Sequence, residues 1–248
     1  MEPWKYHTIT SADLTHLNPL NPAGFDEVAG LLDLPAGARV LDIACGKAEG
    51  LIRIASRYPV SGVGVDLCRT FLDAARASAQ ERLPPTSTLS FAEQDGATYT
   101  APDGHFDLAI CLGASWVFGG YQATLRRLAR FVKPGGQVMV GEPFWTREPD
   151  PEYLEASQTG REDYGTHATN AAAGEAEGLT LLYTLVSSQQ DWDRYEGRRW
   201  RAAERYAKAH PDDQDVPAIL ARARRTRDAY LRWGRDSVGW AVYLFGRA

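Results

Sequence analysis

The 248-residue sequence is poor in cysteine, in long apolar runs and in excess positive charge. Its three cysteines, Cys45, Cys68 and Cys111, are an odd and scattered set. They lack the paired spacing of a zinc site or a disulfide framework, so no metal is expected and the thiols are read as reduced, as in a cytoplasmic chain. No stretch approaches the roughly 18 apolar residues of a membrane span. The opening MEPWKYHTIT has no basic region followed by an apolar core, so no secretory leader and no membrane partner are expected. Lysine and arginine number 27 against 32 acidic residues, a formal net charge of -5 with no dominant basic block. That balance argues against a nucleic-acid backbone as partner. No internal repeat or low-complexity tract is present. What remains is a chain with an ordinary 44% of hydrophobic residues, enough for a sizeable core. A water-soluble monomer or homodimer working on a small-molecule substrate is the expectation.

Short apolar runs at residues 39–43, 61–65, 89–92, 108–112 and 138–140 have the character of buried parallel strands. Three of the intervals between them carry apolar residues at helical spacing: Leu51, Ile54 and Ala55; Phe71, Leu72 and Ala75; Leu125, Leu128, Phe131 and Val132. This alternation implies right-handed strand-helix-strand units around one doubly wound α/β sheet. KPGG at residues 133–136 reads as a helix stop and a tight turn into the fifth strand. After Trp145, Pro149 and Pro151 punctuate an expected loop, and LTLLYTLVSS reads as another strand. A polar, aromatic segment from about 189 to 235 reads as two helices broken near HPDDQDVP, with Asp215 or a neighbour starting the second. SVGWAVYLFGRA has the composition of a final strand. The chain thus divides into an N-terminal cover (1–36, helical at about 11–34), a core sheet (37–187), a helical insertion (188–235) and a last strand (236–248).

The first strand runs into VLDIACGKAEG, an apolar run ending in an aspartate before a turn of small residues. A phosphate-binding loop of the Walker type needs Ser or Thr after Gly-Lys, and here Gly46 and Lys47 precede Ala48. A dinucleotide turn wants G-x-G-x-x-G, whereas the small residues Ala44, Gly46 and Gly50 are spaced differently. Asp42 at the strand end would repel a pyrophosphate and suits a ligand bearing an ammonium group and a sulfonium centre. The turn favours S-adenosylmethionine. Two further acids follow strands in the same way: Asp66, about 20 residues beyond the turn, where a carboxylate accepts ribose hydroxyls, and Asp95 in FAEQDGATY, within reach of an adenine amino group. An aspartate after a strand is also a common turn former or helix cap, and the inference rests on the three together.

Through VLDIACGKAEG, GVGVD, FAEQDGATY, FDLAICLGASW and LARFVKPGGQVMVGEP, in that order, residues 40–144 resemble class I S-adenosylmethionine-dependent methyltransferases. The resemblance implies a seven-stranded, mostly parallel sheet whose last strand is antiparallel. It implies that Asp42, Ala44 and Gly46 meet the methionine part of the cofactor, Asp66 and Leu67 the ribose, Asp95, Gly96 and Ala97 the adenine, and Leu112 and Gly113 the cofactor's inner edge. The family usually shows Asp-x-Gly-x-Gly-x-Gly, and this chain departs from it with Ala44 and Ala48 at two of the glycines. The later part, around SSQQDWDRYEGRRW and YLRWGRDSVGWAVYLF, is similar to a bacterial subgroup of small members, a likeness that supplies no substrate.

Transfer of an electrophilic methyl group needs an acceptor held close, aligned and screened from water; a base is required only where the nucleophile must lose a proton. Residues beyond the fourth and fifth strands are the expected acceptor contacts: Trp116, Tyr121, Phe144 and Trp145, with Glu142 as base or as anchor for a cationic substrate. Partial burial would raise the pKa of Glu142. His16, in THLNPLNP of the cover, is a second candidate base. Trp192, Tyr195 and Trp200, close together in the insertion with Arg199, are read either as a cage for a flat or cationic acceptor or, more simply, as packing of the insertion onto the sheet. The expected function is methyl transfer to a small organic acceptor. The alternatives are a protein or nucleic-acid methyltransferase and a cofactor-binding scaffold or interaction protein. No Asn- or Asp-Pro-Pro-aromatic motif follows the fourth strand, which disfavours a nucleic-acid substrate.

Overall fold

The computed structural model describes all residues, Met1–Ala248. The apolar runs form parallel strands: β1 (Ala38–Ile43), β2 (Val60–Asp66), β3 (Thr88–Glu93), β4 (Phe106–Leu112) and β5 (Val132–Trp145). The helices α3 (Glu49–Arg57), α4 (Arg69–Arg82) and α5 (Tyr121–Phe131) cross between them. Each helix buries the stripe expected of it, with Leu51, Ile54, Ala55, Leu72, Ala75, Leu125 and Leu128 fully enclosed. With β6 (Leu179–Val186) and β7 (Val238–Arg247) the sheet has seven strands in the order β3-β2-β1-β4-β5-β7-β6. β7 runs antiparallel to both of its neighbours. Alternate residues of β7 feed the two faces: Trp240, Val242 and Leu244 join the core under α3 and α4, and Ala241, Tyr243 and Phe245 the core under α5. The order reverses between β1 and β4. A parallel sheet opens a crevice beyond its strand carboxyl ends at such a reversal.

Three local readings change. The fifth strand begins at Val132, and KPGG is an excursion inside it: Phe106 pairs with Val132 but Leu108 with Gln137, with Gly135 at φ +76°. Asp107 pins that excursion by pairing with Lys133 while accepting from the Arg39 amide at 2.9 Å. The cover is helical at α1 (Lys5–Thr10) and α2 (Pro22–Ala29), and residues 11–21 between them are irregular. Asn21 caps α2 through the Gly24 amide with Pro22 in the first turn, so the helix starts after the prolines. The segment after Trp145 contains α6 (Pro151–Ser157) and α7 (His167–Ala172). Pro151 opens α6 instead of interrupting a loop.

The insertion is α8 (Gln189–Ala209) and α9 (Val216–Ala229), followed by a π-helical turn, Tyr230–Gly234. Asp215 stands at the start of α9 as expected, its carboxylate paired with Lys5. Tyr6 and Ile9 of α1 pack with Ala203 of α8 and Ile219 and Ala223 of α9. The N-terminal helix therefore belongs with the insertion, and the two together roof the carboxyl edge of the sheet. No helix is long and apolar enough to cross a membrane.

Candidate active site

The turn after β1 takes an unusual path. Ala44, Gly46 and Ala48 all have left-handed backbones, with φ of +54°, +56° and +54°. Two of these are the alanines that stand where the family pattern has glycine. The left-handed residues turn the chain sharply, and the Gly46 amide donates to Asp66 Oδ2 at 2.8 Å. A side chain at Gly46 would come within 2.6 Å of Leu17, so the irregular part of the cover lies directly on the turn. Lys47 turns toward the cover, where its Nζ donates to the carbonyls of Ser11 at 2.8 Å and Leu14 at 2.7 Å. From the other side, the Tyr195 hydroxyl of α8 donates to the Leu17 carbonyl at 3.2 Å.

The three acids stand at the ends of β1, β2 and β3. Asp42 is buried, nothing in the protein donates to it, and burial with the nearby Asp66 charge pushes its carboxyl well up. Asp66 accepts from Cys68 as well as from Gly46, each at 2.8 Å. Burial raises its pKa against the pull of those amides. Asp95 also serves as a cap, accepting from the Ala97 amide at 2.9 Å. That bond engages the Ala97 amide, and Ala97 itself is exposed.

Asp66, Leu67, Asp95, Gly96, Leu112 and Gly113 line one cleft of about 610 Å³ together with Ala44 and Gly46. Asp42 faces a smaller adjoining pocket, shared with His16 and Asn18, that also touches Ala44 and Gly46. Ala97 lines neither. The cleft also takes in Trp4, His7 and Ser11 from the N-terminus, and Tyr195 and Arg199 from α8. Trp4 and His7 escape sequence reasoning because a single six-residue helix shows no period; their aromatic character is the signal that was available. Arg199 pairs with Glu196 at 3.1 Å and lies over the Tyr195 ring at 5.2 Å.

A second cavity, of about 800 Å³, lies beyond β4 and β5. It holds Glu142, Trp116 and Tyr121, and it shares Gly113 and Trp116 with the cofactor-sized cleft. Glu142 is 2% exposed. Its Oε1 accepts from Ser115 Oγ at 2.8 Å, whereas Oε2 is buried without a partner. Burial pushes its pKa up to about 8, the Ser115 bond opposing.

The remaining candidates are elsewhere. His16 is buried against Phe25, with ring centroids 5.3 Å apart, on the Asp42 side and apart from Glu142. Burial pushes its pKa down to about 4, and Nε2 has no partner. Phe144 is core, packed with Tyr243 and Val140. Trp145 donates from its indole to the Arg161 carbonyl at 2.9 Å and packs against Tyr164. Trp192 and Trp200 both contact Tyr230, the first stacked at 6.1 Å and the second at 5.8 Å. These four line neither cavity and serve packing, the simpler of the two readings for the tryptophans of α8.

Comparison with known proteins now bears on this geometry. A family model described as a methyltransferase domain matches residues 40–136, from β1 to the start of β5. The crystal structure of a SAM-dependent methyltransferase from Thiobacillus denitrificans, in complex with S-adenosyl-L-homocysteine, superposes with a TM-score of 0.89 at 29% identity, covering 100% of both chains. The chain belongs to the class I S-adenosylmethionine-dependent methyltransferases. The uncharacterised protein YjhP of Escherichia coli (strain K12) is 29% identical over 238 residues, 95% of each chain. The 27-O-demethylrifamycin SV methyltransferase of Amycolatopsis mediterranei (strain S699) is 28% identical over 191 residues, 71% of this chain and 69% of that one. The similarity to the Thiobacillus enzyme extends through the roof of α1, α8 and α9, beyond the part that the family model spans.

Proposed function

We propose that this methyltransferase moves the methyl group of S-adenosylmethionine to a small organic acceptor held in the second cavity. The observation that carries the reading is the pair of cavities meeting at Gly113 and Trp116, one lined by the strand-end acids and the other by Glu142. The residues present fit the cofactor. The Asp42 carboxylate is buried and accepts nothing from the protein, which suits a ligand ammonium. Asp66 and Asp95 offer acceptor lone pairs to ribose and adenine, Gly96 brings backbone close, and the cleft is of the size that holds a cofactor. The Thiobacillus and Geobacter sulfurreducens relatives, each solved with S-adenosyl-L-homocysteine, support S-adenosylmethionine as the cofactor.

When bound, the cofactor supplies an electrophilic methyl group on a sulfonium sulfur. The chain supplies position and proton handling. Trp4 and His7 from the N-terminus and Tyr195 and Arg199 of α8 line the cleft from the roof side, so a bound cofactor is screened from water on that side, which strengthens electrostatic contacts inside it. Glu142 is placed to take the proton that the acceptor's nucleophile gives up, because its raised pKa makes its ionised form a stronger base than an ordinary carboxylate. We assign His16 to the cofactor side, where its neutral ring can share a hydrogen bond with the amino-acid end, in place of the general base expected from sequence. The net charge and the three free cysteines support a cytoplasmic enzyme whose substrate is not a nucleic acid.

Calorimetric titration with S-adenosylmethionine tests the assignment, with NAD as a control. Micromolar-range binding is expected, with none for NAD, and Asp66→Ala should weaken it at least about tenfold by removing charge-assisted bonds. Absence of S-adenosylmethionine binding would overturn the cofactor placement. Binding without transfer to any of a panel of amines, phenols and acids would favour a scaffold role.

A further inference from the structure

We infer that the second cavity is a site for a small organic cation, a protonated amine carried by the acceptor, with the Glu142 carboxylate as its counter-ion. This rests on the reading of that cavity as the acceptor's. The lone unpartnered oxygen, Glu142 Oε2, belongs to a side chain almost wholly out of water and lines the cavity. A buried polar atom without a partner is rare in native proteins, and a carboxylate oxygen asks for a donor. An ammonium supplies both the donor and the opposite charge.

The rest of the wall agrees. Glu162 and Asp163 add two acidic side chains to it. Asp163 is occupied only by the Gly160 amide, at 2.7 Å. The one basic residue on the wall, Arg126, is already held by Glu177 at 3.0 Å, so its charge is compensated. Trp116 is the most exposed of the large hydrophobic side chains, 65% open, and it stands at the border of the two cavities. An exposed indole beside a carboxylate offers a cation a π face as well as a counter-charge. An anion would meet the same wall as repulsion.

The titratable groups that feel Glu142 are Cys111 of β4, Tyr121 of α5, Tyr164 of the segment before α7 and Tyr243 of β7. Burial raises the pKa of every one of them, so all stay neutral near pH 7 and none supplies a cation. An incoming ammonium would therefore ionise Glu142. With its pKa near 8, the carboxyl is mostly protonated at pH 7, and cation binding releases that proton.

The experiment is calorimetric titration of the full chain with butylammonium, butanol and butyrate, matched in length and differing in charge. Each titration is run at pH 7 and pH 9 in buffers of different ionisation enthalpy. Butylammonium should bind at least tenfold tighter than butanol, with butyrate weakest. It should release most of a proton at pH 7 and much less at pH 9. Glu142→Gln should abolish both the preference and the proton release, and Asp103→Asn, at an exposed carboxylate that lines neither cavity, should leave them in place. Equal binding of butanol, a preference for butyrate, or an ammonium preference that survives Glu142→Gln would overturn the inference. The S-adenosylmethionine titration separates the two readings. Cofactor binding without cation preference removes only this inference, and cation binding without cofactor binding removes the function proposed above.

Discussion

At the scale of the residue, the glycine-to-alanine departures in the turn have a structural cost that can be measured. A left-handed alanine is disfavoured by about 1–2 kcal/mol, and Ala44 and Ala48 are both left-handed. Ala44→Gly removes that strain at a half-buried position and gives back roughly 0.5–1 kcal/mol to the unfolded chain's entropy. It should stabilise the protein by about 0.5–1 kcal/mol, seen as a rise in Tm of about 1–4 °C. Ala48 is fully buried, so Ala48→Gly also loses a buried methyl worth about 0.8 kcal/mol and should be near neutral. Single residues were also where the sequence was most legible. Asp42, Asp66 and Asp95 each end an apolar run, and a parallel sheet brings such positions to one edge whatever the loops do. The aromatics of GEPFW were not separable in this way. Glu142 lines a cavity while Phe144 and Trp145 pack inward, and composition is the same for an aromatic that faces a ligand and one that faces the core.

At the scale of the element, the strongest local device is Lys47 holding the loop after α1 onto the turn through two carbonyls. Lys47→Met keeps the aliphatic stem and deletes both bonds, a loss of about 1–3 kcal/mol. The expected outcome is faster amide exchange at residues 11–17 and weaker S-adenosylmethionine binding, with exchange in β1 and β4 little changed. Exchange unaltered in that loop would show that Tyr195 and Leu17 hold it alone. The long helices of the core announced themselves through period, since α3, α4 and α5 each carry an apolar stripe, whereas the two helices of the insertion were legible from a polar, aromatic segment and its break near HPDDQDVP. The short ones did not. α1, α6 and α7 have six or seven residues, too few to display a repeat, and their prolines and small polar residues read equally well as loop. The KPGG excursion was invisible for another reason. It is fixed by Asp107, a partner on a different strand, and pairing across strands leaves no local mark.

At the scale of the whole molecule, two buried titratable groups shape stability against pH in opposite directions. Glu142 ionises near pH 8 when folded and near 4.3 when unfolded. Its contribution is full below about pH 4 and is lost as pH rises toward 8. His16 protonates near pH 4 when folded and near 6.5 when unfolded. Its contribution is full above about pH 6.5 and is lost as pH falls toward 4. Glu142→Gln should therefore narrow the drop in Tm between pH 6 and pH 8.5, and His16→Gln the drop between pH 6.5 and pH 4.5. Thermal scans across pH check both, and parallel curves for variant and parent would refute the assignment. The two cavities also share only Gly113 and Trp116 among their lining residues. On the proposed chemistry each reactant has its own chamber. Spent cofactor can be exchanged while a once-methylated acceptor keeps its seat, a layout that permits processive modification of a single atom.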